Sequence, residues 1–333
     1  MVSRTQARAV VRNLLVLVLL VYVAHAGNNY RKSGDDHFFN LEYDQAIQDY
    51  TALTQQNSSD PIPYNDIAGA YLYKEMLRLG MLDSSAMGKI NGFLHERPKP
   101  DPRAEAQFTE ALDKGRQAAE ALLRKDAHDT HALYALCTNY GLEGNYDFML
   151  KRTWVQALRN ADRAKEYCDQ VVNLDPNFID AYLLPGLVEY VAGSLPLPVR
   201  MLASIGGLHG SKKKGIAIVT RVAREGNYER DSARALLAVL YRREGRPLDA
   251  ARVVEGLSKQ YPRNYIFRVE LASMYEEGGQ CDRALYALRT LLEEDDSRIS
   301  PTLREEVSRM EARLQSRSAL DLRNVSDRVA LLH

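Results

Sequence analysis

The chain has 333 residues, with 44 basic side chains against 44 acidic ones and 45% apolar residues. That balance excludes a general electrostatic pull toward nucleic acid, while the apolar content is ample for a continuous core. Cys137, Cys168 and Cys281 are too few, and odd in number, for a small disulfide-stapled scaffold.

The first element is a basic stretch, Arg4, Arg8 and Arg12, followed by an acid-free apolar run from Leu14 to Val23 and by Ala24-His25-Ala26. This order predicts a cleaved export signal over residues 1–26. The apolar run is about half of the roughly 20 residues that span a bilayer. An uncleaved N-terminal anchor is the alternative. No cysteine follows the small residues, so lipid attachment there is not expected. Cleavage removes three arginines and no acid, which leaves residues 27–333 at a formal charge of −3.

Residues 27–300 read as a series of helix-turn-helix units. The first carries Gly34, Tyr43, Ala46, Tyr50 and Leu53. In the second, an A-helix with Ile67, Ala68 and Tyr71 follows Asp60-Pro61, and the Ala-rich stretch Ala104 to Lys125 is its B-helix. Between them, Arg97-Pro98-Lys99-Pro100-Asp101-Pro102 cannot be helical throughout. The third unit pairs Leu136, Cys137 and Tyr140 with Ala164, Cys168 and Val171, and ends in Leu174-Asp175-Pro176. Its extra residues, Tyr146 to Asn160, include the single tryptophan, Trp154, and are expected to lengthen both helices. Cys137 and Cys168 fall on facing helices, where a disulfide and a pair of small buried hydrophobes are both open readings.

The fourth unit pairs Tyr182 and Gly186 with Gly215, Val219 and Val222, closing near Asn227. An insertion, Ala192 to Gly207, interrupts it: Gly193 to Pro198 breaks the helix and Val199 to Ile205 is strongly apolar. In the fifth unit Leu237, Ala238, Tyr241, Gly245, Ala250 and Leu257 recur 34 residues later as Leu271, Ala272, Tyr275, Gly279, Ala284 and Leu291 in the sixth. A fixed period of that length, with small residues where helix axes cross, predicts an all-α solenoid of about six helix pairs. Ala or Gly at the crossings permits close approach, and larger apolar residues fill between layers. Residues 301–317 look like a polar capping helix, and 318–333 like a loose tail. No stretch alternates with a period of two, so no strand is expected.

This register resembles the tetratricopeptide repeat. Together with Asp44-Gln45-Ala46-Ile47, Asn227-Tyr228, Tyr241-Arg242-Arg243-Glu244-Gly245 and Tyr261-Pro262-Arg263-Asn264, it is similar to exported bacterial members of that family. The Gly193-Ser194-Leu195-Pro196 insertion resembles one uncharacterised subgroup. The resemblance spans roughly residues 33–295. It implies a right-handed superhelix whose concave face, built from A-helices, holds peptides or partner proteins. The Lys, Asn and Arg clamp of members that bind chaperone C-termini is not reproduced, since Asn65, Gly69, Tyr134 and Thr138 stand at the corresponding positions.

On this register the candidate partner-binding residues are Asn65, Leu72, His131, Tyr134, Thr138, Asp180, Leu183, Leu187, Tyr190 and Arg242. They form an apolar and aromatic middle with polar edges, suited to a peptide or an apolar molecule, unless the insertions fold back and fill it. Leu195 to Leu208, with Lys212 to Lys214 beyond it, is a plug, a partner contact or a peripheral membrane element. No metal or other cofactor is expected. His128 and His131 lack a third ligand, and Asp129 or Thr130 beside them is better explained as a helix N-cap. Asp35-Asp36-His37 is set aside likewise. Gly206-Gly207 to Lys212 lacks the residue order of a phosphate loop, and no nucleophile elbow is present. The expectation is therefore a non-enzymatic scaffold of the cell envelope that binds a protein or peptide and no nucleic acid. A small-molecule or lipid carrier closed by the insertions is the alternative, and an unrecognised hydrolase the second.

Overall fold

The computed structural model describes residues 30–82, 99–195, 210–292, 299, 303–305 and 307–316. The signal over 1–26, most of the insertion after Leu195 and the tail over 318–333 lie outside the described residues, as do Arg97 and Pro98. Among the described residues the chain is helical and contains no strand, as the 34-residue period requires.

Helix α1 covers residues 30–39. It is followed by α2 (Tyr43–Gln56), α3 (Ile62–Arg78), α4 (Pro102–Leu123), α5 (Thr130–Tyr146) and α6 (Trp154–Leu174). Next come α7 (Leu183–Ser194), α8 (Lys212–Glu225), α9 (Arg230–Arg243), α10 (Pro247–Gln260), α11 (Tyr265–Glu277) and α12 (Cys281–Leu292). Residues 307–316 form α13, with Val307 and Leu314 buried. These residues fall into two compact units, one of residues 30–75 and 99–164, the other of 76–82, 165–195, 210–292, 299, 303–305 and 307–316.

Local chemistry sets where the helices begin and end. Asp101 accepts from the Arg103 amide at 2.9 Å with Pro102 in the first turn, and Asp129 accepts from the Ala132 amide at 3.0 Å. Asn264 caps α11 in the same way. Each side chain satisfies an amide that the first helical turn leaves unpaired. At the other end, Gly245 and Gly279 adopt φ of +68° and +73°. Arg246 then donates back to the Tyr241 carbonyl at 2.9 Å, and Gln280 to that of Tyr275 at 2.8 Å. The same glycine stop is thus built twice, 34 residues apart. Leu41, at φ +64°, closes α1 by the same bonding pattern without a glycine.

In the first unit α4 packs on α5. Ala46, Ala68 and Ala164 are fully buried, and Phe38 sits edge-on to both Tyr43 and Tyr73. The residues Tyr146 to Asn160 lengthen α6, which runs 21 residues from Trp154, but they do not extend both helices without a break. Instead a π-helical turn, Asp147–Lys151, and the left-handed Arg152 redirect the chain before α6 begins at Trp154.

In the second unit each helix packs on the next in sequence, α7 on α8 and so on to α12, which is the connectivity of a solenoid. The α7–α8 crossing is tight: a Cβ on Gly215 would lie 2.6 Å from the Tyr190 Cβ and backbone nitrogen. Ala238, Ala250, Ala272 and Ala284, the small residues of the repeated register, are all buried. Cys137 and Cys168 are disulfide-bonded, and Cys281 is a free thiol.

Candidate functional site

In the first unit, helices α3, α4 and α5 share a buried polar network. The Asn65 amide donates to the Ala135 carbonyl at 2.8 Å and to the Thr138 hydroxyl at 2.9 Å. Asn139 donates to the Asn65 side-chain oxygen at 2.8 Å and to the Leu112 carbonyl at 2.9 Å. Arg116 in turn donates to the Asn139 oxygen through Nε and Nη2, at 3.1 and 3.0 Å, and to Glu143 at 2.6 Å. Gly115 makes room for this, since a Cβ there would stand 2.6 Å from the Asn65 oxygen. A buried amide left unpaired is costly, so a fully satisfied chain of amides ties three helices together.

That network corrects the sequence reading. Asn65, Leu72 and Tyr134 are buried and offer nothing to a partner, because neighbouring helices pack over positions that the register put on an open face. Thr138 is half-buried and already bonded to Asn65. His131 remains accessible. Its Nε2 lies 2.9 Å from Asp60 Oδ1. That hydrogen bond holds the imidazole pKa above its ordinary value, against burial. On Asp60 burial pushes the other way, but the bonds from His131 and the Ile62 amide win and lower the carboxyl. His131 is thus committed to Asp60.

In the second unit, Asp180 is also buried. Its carboxylate accepts from the amides of Asn227, Tyr228 and Glu229 at 2.8–3.1 Å, so it clamps the turn that launches α9. Tyr190 is buried, and its hydroxyl donates to Glu244 at 2.8 Å. Burial and that carboxylate both raise its pKa. Lys212 reaches the same Glu244 oxygen at 2.9 Å. Asp180 and Tyr190 are therefore also removed from the partner surface, having been recruited to hold turns and crossings. Arg242 bridges α9 to α11 through Glu270 at 2.9 Å and Glu277 at 2.5 Å. Leu183 and Leu187 are half-buried, the former packed against the core that contains Val219 and Leu237.

Of the ten residues singled out, His131, Thr138, Leu183, Leu187 and Arg242 keep accessible surface. His131 and Thr138 share helix α5, and Leu183 and Leu187 share a face of α7 one turn apart. The sequence reading missed an exposed apolar cluster at the π-turn. Phe148, Trp154, Val155 and Leu158 are 41%, 45%, 65% and 67% exposed. The signal for it was present: the one tryptophan lies in the segment that departs from the repeat. Among the described residues no three His, Cys, Asp or Glu side chains are grouped as metal ligands, and none of the described helices is long and apolar enough to cross a membrane.

No protein-family model and no curated protein matches this chain. Solved structures are similar to it at low identity. A thermophilic tetratricopeptide-repeat protein of Thermus thermophilus is 17% identical, with 75% of this chain and 99% of that one covered at a TM-score of 0.40. MamA is 19% identical, covering 59% and 95% at 0.37. A tetratricopeptide-repeat protein of Parabacteroides merdae is 13% identical, covering 87% and 99% at 0.34. Partner and activity do not follow from likenesses of this kind.

Proposed function

We propose that the chain is a non-enzymatic, exported scaffold that binds a protein or peptide in the bacterial cell envelope through its A-helix faces. One observation carries this reading. The polar side chains on those helices are spent on one another, as in the Asn65–Asn139–Arg116 chain, so the described interior supports packing rather than chemistry. The A-helices still present His131 and Thr138 in the first unit and, separately, Leu183, Leu187 and Arg242 in the second. Such surfaces suit an extended or helical segment that contributes apolar anchors and backbone groups. Export is supported by the Arg4–Ala26 pattern and by the disulfide state of Cys137 and Cys168, since disulfides persist in oxidising compartments.

The test is photo-cross-linking of the full chain, expressed in a Gram-negative host, with the probe at Leu187 or Thr138. Recovery of a defined polypeptide at either position, reduced at the Leu187 probe by Leu183→Glu, is the expected result. Cross-links confined to lipid would overturn the reading. Export is checked separately: the envelope form should begin at Gly27 and, once unfolded, titrate a single thiol.

A further inference from the structure

The apolar cluster at the π-turn is built, not left over from a slack loop. Asp147, buried, accepts from the Thr153 hydroxyl at 3.1 Å and from the Asn160 amide at 3.0 Å, and its carbonyl takes the Thr153 amide at 3.0 Å. These bonds close a turn in which Arg152 sits at φ +57°, a backbone state that costs a side-chain-bearing residue about 1 kcal/mol. One face of α6 is packed inward through Ala157, Asn160 and Ala164. The opposite face presents Val155 and Leu158, with Trp154 at its edge and the Phe148 ring edge-on to Trp154 at 4.9 Å.

We infer that this face docks on an anionic lipid bilayer. Charge and side-chain type select that occupant. Between Phe148 and Arg163 the chain carries Lys151, Arg152, Arg159 and Arg163 against a single exposed acid, Asp162. Lys151 is paired with Glu105 at 2.7 Å and still keeps 37% of its side chain exposed. Basic residues near an anionic surface contribute about 1 kcal/mol each. Tryptophan favours the headgroup level, where its apolar ring and indole N–H are both satisfied, and phenylalanine and leucine suit the apolar side of an interfacial helix. Contact through the side of an amphipathic helix lies flat on the surface. A second copy is the weaker occupant. Four part-exposed side chains fall well short of the roughly 800 Å² per partner that a stable protein interface buries, and two such faces would bring their arginines together. The inference is independent of the A-helix reading, and either can fail alone.

Trp154 is the only tryptophan in the sequence, so its fluorescence reports on this face and no other, whatever the N-terminal apolar run does. The experiment adds vesicles of equal parts phosphatidylcholine and phosphatidylglycerol, or of phosphatidylcholine alone, to the full chain. Expected with the anionic vesicles are a blue shift of Trp154 emission and quenching by brominated acyl chains, both reversed by high salt. Neither should occur with the neutral vesicles. Arg159→Glu should lower the partition coefficient about tenfold or more, with the helical circular dichroism unchanged. Absence of binding overturns the inference. So does co-sedimentation with unaltered Trp154 emission, which would place the contact elsewhere. A blue shift that grows with protein concentration in the absence of lipid would assign the face to a second copy and equally overturn it.

Discussion

At the residue scale, side chains that looked like binding groups hold the helices together, and their removal should be felt as lost stability. Asn65→Leu strands one N–H of the Asn139 amide in the interior, while the other still reaches Leu112 and the Ala135 carbonyl keeps the Thr138 hydroxyl. The substitution should cost about 2–3 kcal/mol, read as a lower urea midpoint. Asp180→Ala orphans three backbone amides at the start of α9 and should cost about as much. The His131–Asp60 pair makes stability depend on pH. The raised imidazole pKa means that its contribution is full below the ordinary value of 6.5 and fades as pH rises through the folded value. The lowered Asp60 pKa means that the carboxylate's share is present above 3.8 and fades as pH falls through the folded value. The stability difference between the natural chain and His131→Gln should therefore be largest near pH 5–6 and shrink toward pH 8. A difference that stays flat from pH 5 to pH 8 would contradict the pairing.

At the scale of the elements, two glycines with different duties should respond differently to the same substitution. Gly215 lies where α8 meets α7, and an added methyl would press on the Tyr190 backbone, which cannot rotate away. Gly245 ends α9 with nothing within 4 Å of an added Cβ and needs only its positive φ. Gly245→Ala should cost about 1 kcal/mol, and Gly215→Ala about 2–3 kcal/mol, as an overpacked crossing does. Thermal unfolding of both variants gives the order. These turns and crossings were legible in the sequence, since Gly after an apolar-periodic run and Asp or Asn before one name their own positions. The π-turn was not. Its bonding depends on Asp147 meeting Asn160 across a fold in the chain, and no local pattern encodes that meeting. Leu41 escaped for a related reason, because a buried leucine at positive φ breaks the local preference and is held there by its surroundings.

At the scale of the whole molecule, the period determined which residues are interior more reliably than which are exterior. Ala46, Ala68, Ala164, Ala238, Ala250, Ala272 and Ala284 are all buried as the register requires. Asn65, Tyr134 and Tyr190 are buried as well, although the same register put them on an open face. The reason is physical: positions on an A-helix that face a partner in one array face the adjoining helix in another, and the sequence of one unit does not reveal how closely the next is stacked. Small residues at crossings carry their own reason for being there, whereas surface residues of a scaffold are defined by a partner outside the chain.

The stacking of helix pairs on that register is tested most directly by thiol protection. Cysteine is placed singly at Ala238, Ala250, Ala272 or Ala284 in a Cys281→Ser background, with Gln156→Cys, exposed on α6, as the reference. All four buried sites should react at least about a hundredfold more slowly than the reference under native conditions and match it in urea. Native labelling at the reference rate at any two of them, in a variant that keeps its helical circular dichroism, would contradict the register and the packing built on it.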